Sequence, residues 1–361
     1  MRALRTVAPG PDVLPALAAA LDGGDALRVG PPAADVPSDV SDAVALVVET
    51  SGSTGRPKRV ALSADALRAN TAASAAVLGQ GQWVLALPTH YIAGINVLAR
   101  SLAAGTEPVA VEGAHFTAAG FVSAASRLTA AGRFVSLVPA QLATLLDDPA
   151  ATDVLATFRT ALIGGQSLPA AVRERAAAAG VSVTRSYGSS ETSGGCVYDG
   201  VPIGETRVRV VDGEVQVGGP GLAEGYLGDR ALTAERFVVD DGMRWFRTAD
   251  AGEWDGARLS VTGRRDDVIV SGGIKVSLGA VERLLHEHGF PDAVVVRGRD
   301  ERWGEVPVAF VTGDADAAPA VAAIDAALGP AGRPRVRRVD SIPTLPSGKP
   351  DRVVLERTAN G

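Results

Sequence analysis

The stretch AVALVVETSGSTGRPK, residues 43–58, joins an unbroken apolar run to a segment of Gly, Ser, Thr and Pro that ends in a lysine. An apolar run without polar alternation reads as a strand buried on both faces, as in a mostly parallel sheet. The polar segment reads as a loop whose backbone N–H groups and hydroxyls converge on an anion. Lys58 stands out because the chain holds only Lys58, Lys275 and Lys349 against thirty-two arginines. An ammonium is a compact point charge, and a guanidinium is a planar fork. The loop does not fit the P-loop of NTPases. Gly52 and Gly55 have the wrong spacing, and Arg59 follows Lys58 where Ser or Thr should bind magnesium.

Outward from this loop, WVLALP, EPVAVEG, RFVSLVP, RTALIGG and SVTRSYG read as further strands, separated by alanine-rich helical patterns such as LRANTAASAAVLG. This alternation predicts an α/β fold with mostly parallel sheets flanked by helices, with ligands at the carboxyl ends of the strands. From about Val208 the pattern changes. VRVVDGEVQV alternates by two around Asp212-Gly213, a type I′ hairpin signal. With WFRTAD, RLSVTG and DVIVSG it points to an antiparallel β-rich subdomain, about residues 202–262. The helix LGAVERLLHEHG, the strands AVVVRG and VPVAFVTG and a second helix then make a small α+β domain. The expected division is 1–265 and 266–361.

A formal net charge of −6 and a pI near 5.4 argue against a nucleic-acid footprint. Cys196 is the single cysteine, so no internal disulfide forms, and no Cys/His cluster has metal-ligand spacing. The N-terminus reads as an amphipathic helix rather than a signal peptide, and no apolar run nears the roughly 18 residues a membrane helix needs. The expected location is the cytoplasm. Cys196 reads as a buried small side chain, and His115, His286 and His288 as structural residues.

The glycine loop is followed in order by PTHYIAG (88–94), SYGSSET (186–192), GEVQVGGPGLAEGYL (213–227), RTADAGEW (247–254), GRRDDVIVSGGIKVSLGAVE (263–282) and LPSGKPDR (345–352). This ordered set resembles the adenylate-forming superfamily of acyl- and aryl-CoA ligases, peptide-synthetase adenylation domains and luciferases. The resemblance implies two steps. A carboxylate attacks the α-phosphate of MgATP, and a thiol, usually that of coenzyme A, then displaces AMP. It implies that Thr50, Ser51, Gly52, Ser53, Thr54, Gly55 and Lys58 hold the leaving phosphates. Ser186, Tyr187, Gly188 and Gly165 would frame adenine, with Thr192 near the α-phosphate and Glu191 helping to hold Mg²⁺. Asp250 and Arg264 would take the ribose, although RTADAG stands here where the family usually has RTGDLG. Lys349 would bridge carboxylate and α-phosphate. Asp266 would be the hinge of a mobile C-terminal domain, and Gly272, Gly273 and Lys275 would line the coenzyme A arm. His90 would shape the acid pocket.

The phosphate loop begins after only 49 residues, and GGCVYDG follows the Glu191 motif. Both features resemble the compact 2-succinylbenzoate:CoA ligases of menaquinone biosynthesis. That acid carries a second carboxylate whose burial needs donors. Asn96, Ser189 and Ser193 are the candidates in motif order. A short leader also makes a homodimer useful for covering the pocket. Other aromatic or short-chain acids, an acceptor carrier acting in trans, and a silent adenylate-binding regulator remain open from sequence.

Overall fold

The computed structural model describes residues 1–50, 58–113, 115–345 and 349–361. Its α/β architecture is built on four sheets. The first holds six strands in the order Gly225–Tyr226, Lys58–Ser63, Val44–Thr50, Ala26–Val29, Arg2–Val7 and Asp39–Val40. Val44 to Val48 are all buried, as the apolar run requires. The next strand, Lys58–Ser63, returns antiparallel, pairing Thr50 with Lys58 and Glu49 with Arg59. The glycine segment therefore joins two adjacent strands rather than leading straight into a helix. Residues 51–57 themselves lie outside the described part. The helix follows one strand later, at Ala64–Leu78, where the Ser63 hydroxyl accepts the Ala66 N–H as an N-cap. The sequence reading also misses the strand Arg2–Val7, which precedes the amphipathic helix Val13–Leu21.

The second sheet has seven strands: Val201–Pro202, Gly194–Tyr198, Val183–Ser189, Thr160–Ile163, Arg133–Leu137, Gln82–Leu85 and Val109–Ala110. From Val183–Ser189 to Val109–Ala110 the neighbours run parallel. Their shared direction carries His90, Gly165 and Tyr187 to the carboxyl-end side, where open α/β sheets bind ligands. Val84, Val135, Leu137, Ala161 and Ile163 pack beneath Phe121, Leu142, Leu145 and Phe158 on this sheet.

The third sheet is antiparallel, with strands Arg207–Val211, Glu214–Gly218, Met243–Trp254, Phe237–Asp240 and Leu259–Arg264. Its first hairpin turns at Asp212 (φ 49°) and Gly213 (φ 75°), the two positive φ values a type I′ turn requires. A single core joins this sheet to the first through Leu46, Val48, Val60, Val215, Val217 and Phe246. The fourth sheet contains Val268–Ser271, Ile274–Ser277, Val294–Asp300, Gly304–Val311 and Arg335–Arg338. DVIVSG thus belongs here rather than with the third sheet. Ile269, Val281, Leu285, Val295 and Ala309 form a core between this sheet and its helices. No described helix is long and apolar enough to cross a membrane.

Candidate active site

The strand Val183–Ser189 slips register against Gly194–Tyr198 between Tyr187 and Gly188. Space there is minimal: a Cβ on Gly188 would lie 2.0 Å from the Gly194 carbonyl, and one on Gly195 2.0 Å from the Ser186 hydroxyl. These glycines let two backbones close behind Tyr187, whose hydroxyl donates to Asp250 Oδ2 at 2.7 Å. Asp250 Oδ1 accepts from Arg264 at 3.3 Å, across a register pair of facing strands. Arg264 also grips Asp266 with two bonds of 2.7 and 2.6 Å. Burial pushes the Asp250 carboxyl above the usual carboxylate range, while the Tyr187 hydrogen bond and the Arg264 charge pull it back. Burial likewise raises the Tyr187 phenol, so it stays a donor.

Glu191 lies on the short 3₁₀ turn Ser190–Thr192. Its carboxylate accepts the Tyr226 hydroxyl at 2.8 Å. Tyr226 sits on the strand that pairs with Lys58–Ser63, and its ring lies 5.8 Å from the Lys58 ammonium. One tyrosine therefore links the acid of one motif to the base of another. Among the described residues no group of three or more His, Cys, Asp or Glu could hold a metal. Glu191 alone fits a hard cation whose other ligands are phosphate and water, the usual arrangement for Mg²⁺.

The Leu345 N–H donates to the Lys349 carbonyl (2.8 Å), and Thr344 pairs with Pro350. Lys349 as a whole is exposed, yet its side chain runs inward: its Cε lies 3.2 Å from where a Cβ on Gly165 would sit. Gly165 has φ 83°, and the lysine passes over its bare face. Burial lowers the Lys349 ammonium below its ordinary range. Arg264 adds to this by repulsion, and Glu191 opposes it. The three residues preceding Lys349 lie outside the described part.

The remaining sequence candidates divide. Asn96 is buried and donates to the Ser193 carbonyl at 2.9 Å. The Ser193 hydroxyl donates to the Gly221 carbonyl and the Thr192 hydroxyl to the Gly194 carbonyl, so both are committed to the local turn. Asn96 Oδ1, the Ser189 hydroxyl and His90 Nδ1 are buried without a partner among the described residues. Burial lowers the His90 imidazole, which is neutral near pH 7. Gly272 and Gly273 form the left-handed turn (φ 57° and 85°) of an exposed hairpin that carries Lys275. Ser51, Gly52, Ser53, Thr54 and Gly55 lie outside the described residues. Burial pushes the Cys196 thiol up to about 12, which makes it a poor nucleophile.

Sequence reasoning misses Tyr226, for which the dipeptide Gly-Tyr of its motif is the one available signal. It also misses Arg100, which has none. Arg100 is buried on the helix Ile92–Ala104, one turn beyond Asn96 on the same face. Its guanidinium donates to the hydroxyls of Ser74 (3.0 Å) and Tyr198 (3.2 Å) and lies 5.0 Å from the Trp83 ring. Among the described residues its side-chain partners are these two hydroxyls and that ring, with no carboxylate.

A carboxylate flanked by tyrosine and arginine suits a vicinal diol. A second carboxylate, bonded to the tyrosine whose ring lies near Lys58, suits a polyphosphate and its cation. Both features suit a nucleotide. A model of the AMP-binding enzyme family matches residues 10–227, and the chain belongs to that family. It is 41% identical over 370 residues to the probable 2-succinylbenzoate–CoA ligase of Mycobacterium tuberculosis CDC 1551, covering 97% of this chain and 95% of that protein. Identity to the 2-succinylbenzoate–CoA ligase of Salmonella typhimurium is 32% over 277 residues, covering 73% of this chain and 56% of that one. Among solved structures, o-succinylbenzoate CoA synthetase of Bacillus subtilis with its acyl-adenylate intermediate superposes with a TM-score of 0.76 at 22% identity, covering 98% of this chain and 88% of that one. An amide bond synthetase of Marinactinospora thermotolerans gives a TM-score of 0.76 at 27% identity, covering 99% and 80%.

Proposed function

We propose that this protein ligates 2-succinylbenzoate to coenzyme A through an acyl adenylate. The observation that carries the reading is the inward Lys349, brought over Gly165 into the field of Glu191 and Arg264. The 2-succinylbenzoate–CoA ligases at 41% and 32% identity support the same substrate.

In the first step an oxygen of the succinyl carboxylate attacks the α-phosphorus of ATP. That P–O bond forms as the bond to the β-phosphate bridge breaks, and pyrophosphate leaves. Tyr187 stacks on adenine between Ser186, Gly188 and Gly165, and Asp250 with Arg264 accepts and donates around the ribose hydroxyls. Lys349 meets the charge gathering on carboxylate and phosphoryl oxygens, an interaction stronger in the transition state than before it. Thr50 and Lys58, with the residues between them, hold the leaving phosphates. Glu191, together with the phosphates, would hold Mg²⁺, which would supply charge neutralisation there. In the second step the coenzyme A thiolate attacks the acyl carbonyl and AMP leaves with both electrons of the broken C–O bond.

The C-terminal part, residues 266–361, turns about Asp266 between the steps, exchanging Lys349 for the Gly272-Gly273 hairpin and Lys275. His90, Asn96 and Ser189 border the acid pocket. Arg100, an enclosed cation without a carboxylate, receives the benzoate group.

Pyrophosphate release across a panel of acids, with and without coenzyme A, tests the function. 2-Succinylbenzoate should give the fastest release, and its thioester should require coenzyme A. No release with any acid would sink the reading.

Two further results follow. The lowered Lys349 should give kcat/KM for ATP an alkaline limb below the ordinary lysine value near 10.5, because the ammonium is lost as pH rises through its depressed value. A pH profile of adenylate formation checks this, and the profile of thioester formation from supplied adenylate should lack that limb. Tyr226→Phe removes one hydrogen bond to Glu191. It should raise the Mg²⁺ concentration for half-maximal pyrophosphate release about tenfold, the worth of one bond to a charged group, and leave AMP affinity near wild type.

A further inference from the structure

Asp250 is presented by an irregularity in the third sheet. Glu214 pairs with Ala251 and Gln216 with Arg247, so residues 248–250 bulge opposite Val215 alone. At the apex Ala249 has φ 62°, a left-handed conformation that a residue with a Cβ resists. This is the position where the family resemblance leads one to expect glycine. Local hydrogen bonds hold the alanine there. The buried Glu214 carboxylate accepts the Ala249 N–H at 3.1 Å through Oε1. Through Oε2 it accepts Arg247 Nε at 3.0 Å and lies 3.8 Å from Arg265. The Ala249 carbonyl accepts the Arg265 N–H at 2.8 Å. Thr248 donates its hydroxyl to the Val215 carbonyl (2.7 Å) and accepts the Asp250 N–H (3.0 Å).

We propose that Glu214, seconded by Thr248, is a positioning residue for nucleotide recognition: it clamps the strained Ala249 turn so that the Asp250 carboxylate faces the ribose diol. The inference rests on the ribose role given to Asp250 above. Glu214 touches no ligand in this account and acts only through the turn. Near-isosteric Gln removes the charge that draws Arg247 and Arg265 onto the carboxylate, while filling the same space. A carboxylate serving only the fold would, when neutralised, lower stability without changing which nucleotide is preferred.

Calorimetric titration of the full-length protein with AMP and with 2′,3′-dideoxyAMP separates these roles, with melting temperatures recorded alongside. The wild type should prefer AMP about 100-fold or more, as expected for two hydrogen bonds to a charged acceptor. In Glu214→Gln and in Thr248→Val the preference should shrink about tenfold through weaker AMP binding, with dideoxyAMP affinity unchanged. An undiminished preference in folded Glu214→Gln overturns the proposal. Should that variant not fold, an undiminished preference in Thr248→Val does so. If the wild type bound neither nucleotide, the ribose role of Asp250 would fall and the inference with it, an outcome distinct from a wild-type preference that the variants keep.

Discussion

Lys349→Ala is expected to slow adenylate formation roughly 100- to 1,000-fold, the cost of removing one preorganised group from developing charge. Thioester formation from a supplied acyl adenylate should stay near the wild-type rate. The asymmetry follows from where the lysine stands. Its side chain crosses Gly165 and its ammonium feels both Glu191 and Arg264, so it belongs to the arrangement that meets ATP. It takes no part in thiol attack, for which the C-terminal residues are proposed to turn away. Lys349→Arg should not restore the first step, because a planar guanidinium cannot occupy the narrow space over Gly165 as an ammonium does. Separate assays of the two half-reactions decide the matter. Equal loss in both would mean that the substitution damages the fold or a shared site.

Arg100→Met should raise the KM for 2-succinylbenzoate by about 10²- to 4 × 10³-fold. Removing one partner of a buried pair costs about 3–5 kcal/mol, and each 1.4 kcal/mol is tenfold. The sign of the stability change distinguishes this role from a structural one. Without substrate the guanidinium is enclosed against two hydroxyls and a tryptophan ring, with no carboxylate among the described residues. Replacing such a charge by an apolar side chain of similar volume is often neutral or stabilising. The apo protein should therefore melt no lower than wild type while its use of the acid collapses. An analogue lacking the ring carboxylate should be used by the variant about as well as by the wild type. A lower melting temperature with unchanged KM would make Arg100 a core residue and leave the benzoate group without a cation.

Much of this site is legible in the sequence. Tyr187, Glu191, Asp250, Arg264 and Lys349 stand in short ordered motifs, and their loops fall at strand ends because apolar runs fix where strands stop. The type I′ turn at Asp212-Gly213 is equally legible, since backbone sterics decide it locally. What escapes depends on contacts made over long sequence separations. Tyr226 matters through Glu191, thirty-five residues away, and Arg100 through Ser74 and Tyr198. Glu214 looks like one polar residue in an alternating strand until its carboxylate is seen under Ala249. The strand Lys58–Ser63 is hidden by its charged start, and Arg28, almost wholly buried, is paid for by Glu49, which it meets at 3.2 and 2.9 Å. Periodicity treats such arginines as surface residues, whereas a bidentate partner lets them enter the core.

The central claim is that the acid becomes a mixed anhydride with AMP before coenzyme A is used. Turnover of 2-succinylbenzoate carrying heavy oxygen in the succinyl carboxylate, followed by mass spectrometry of the products, tests it most directly. The account predicts one labelled oxygen in the phosphate of each AMP released with a thioester, and none in pyrophosphate. Thioester formed with unlabelled AMP would contradict it.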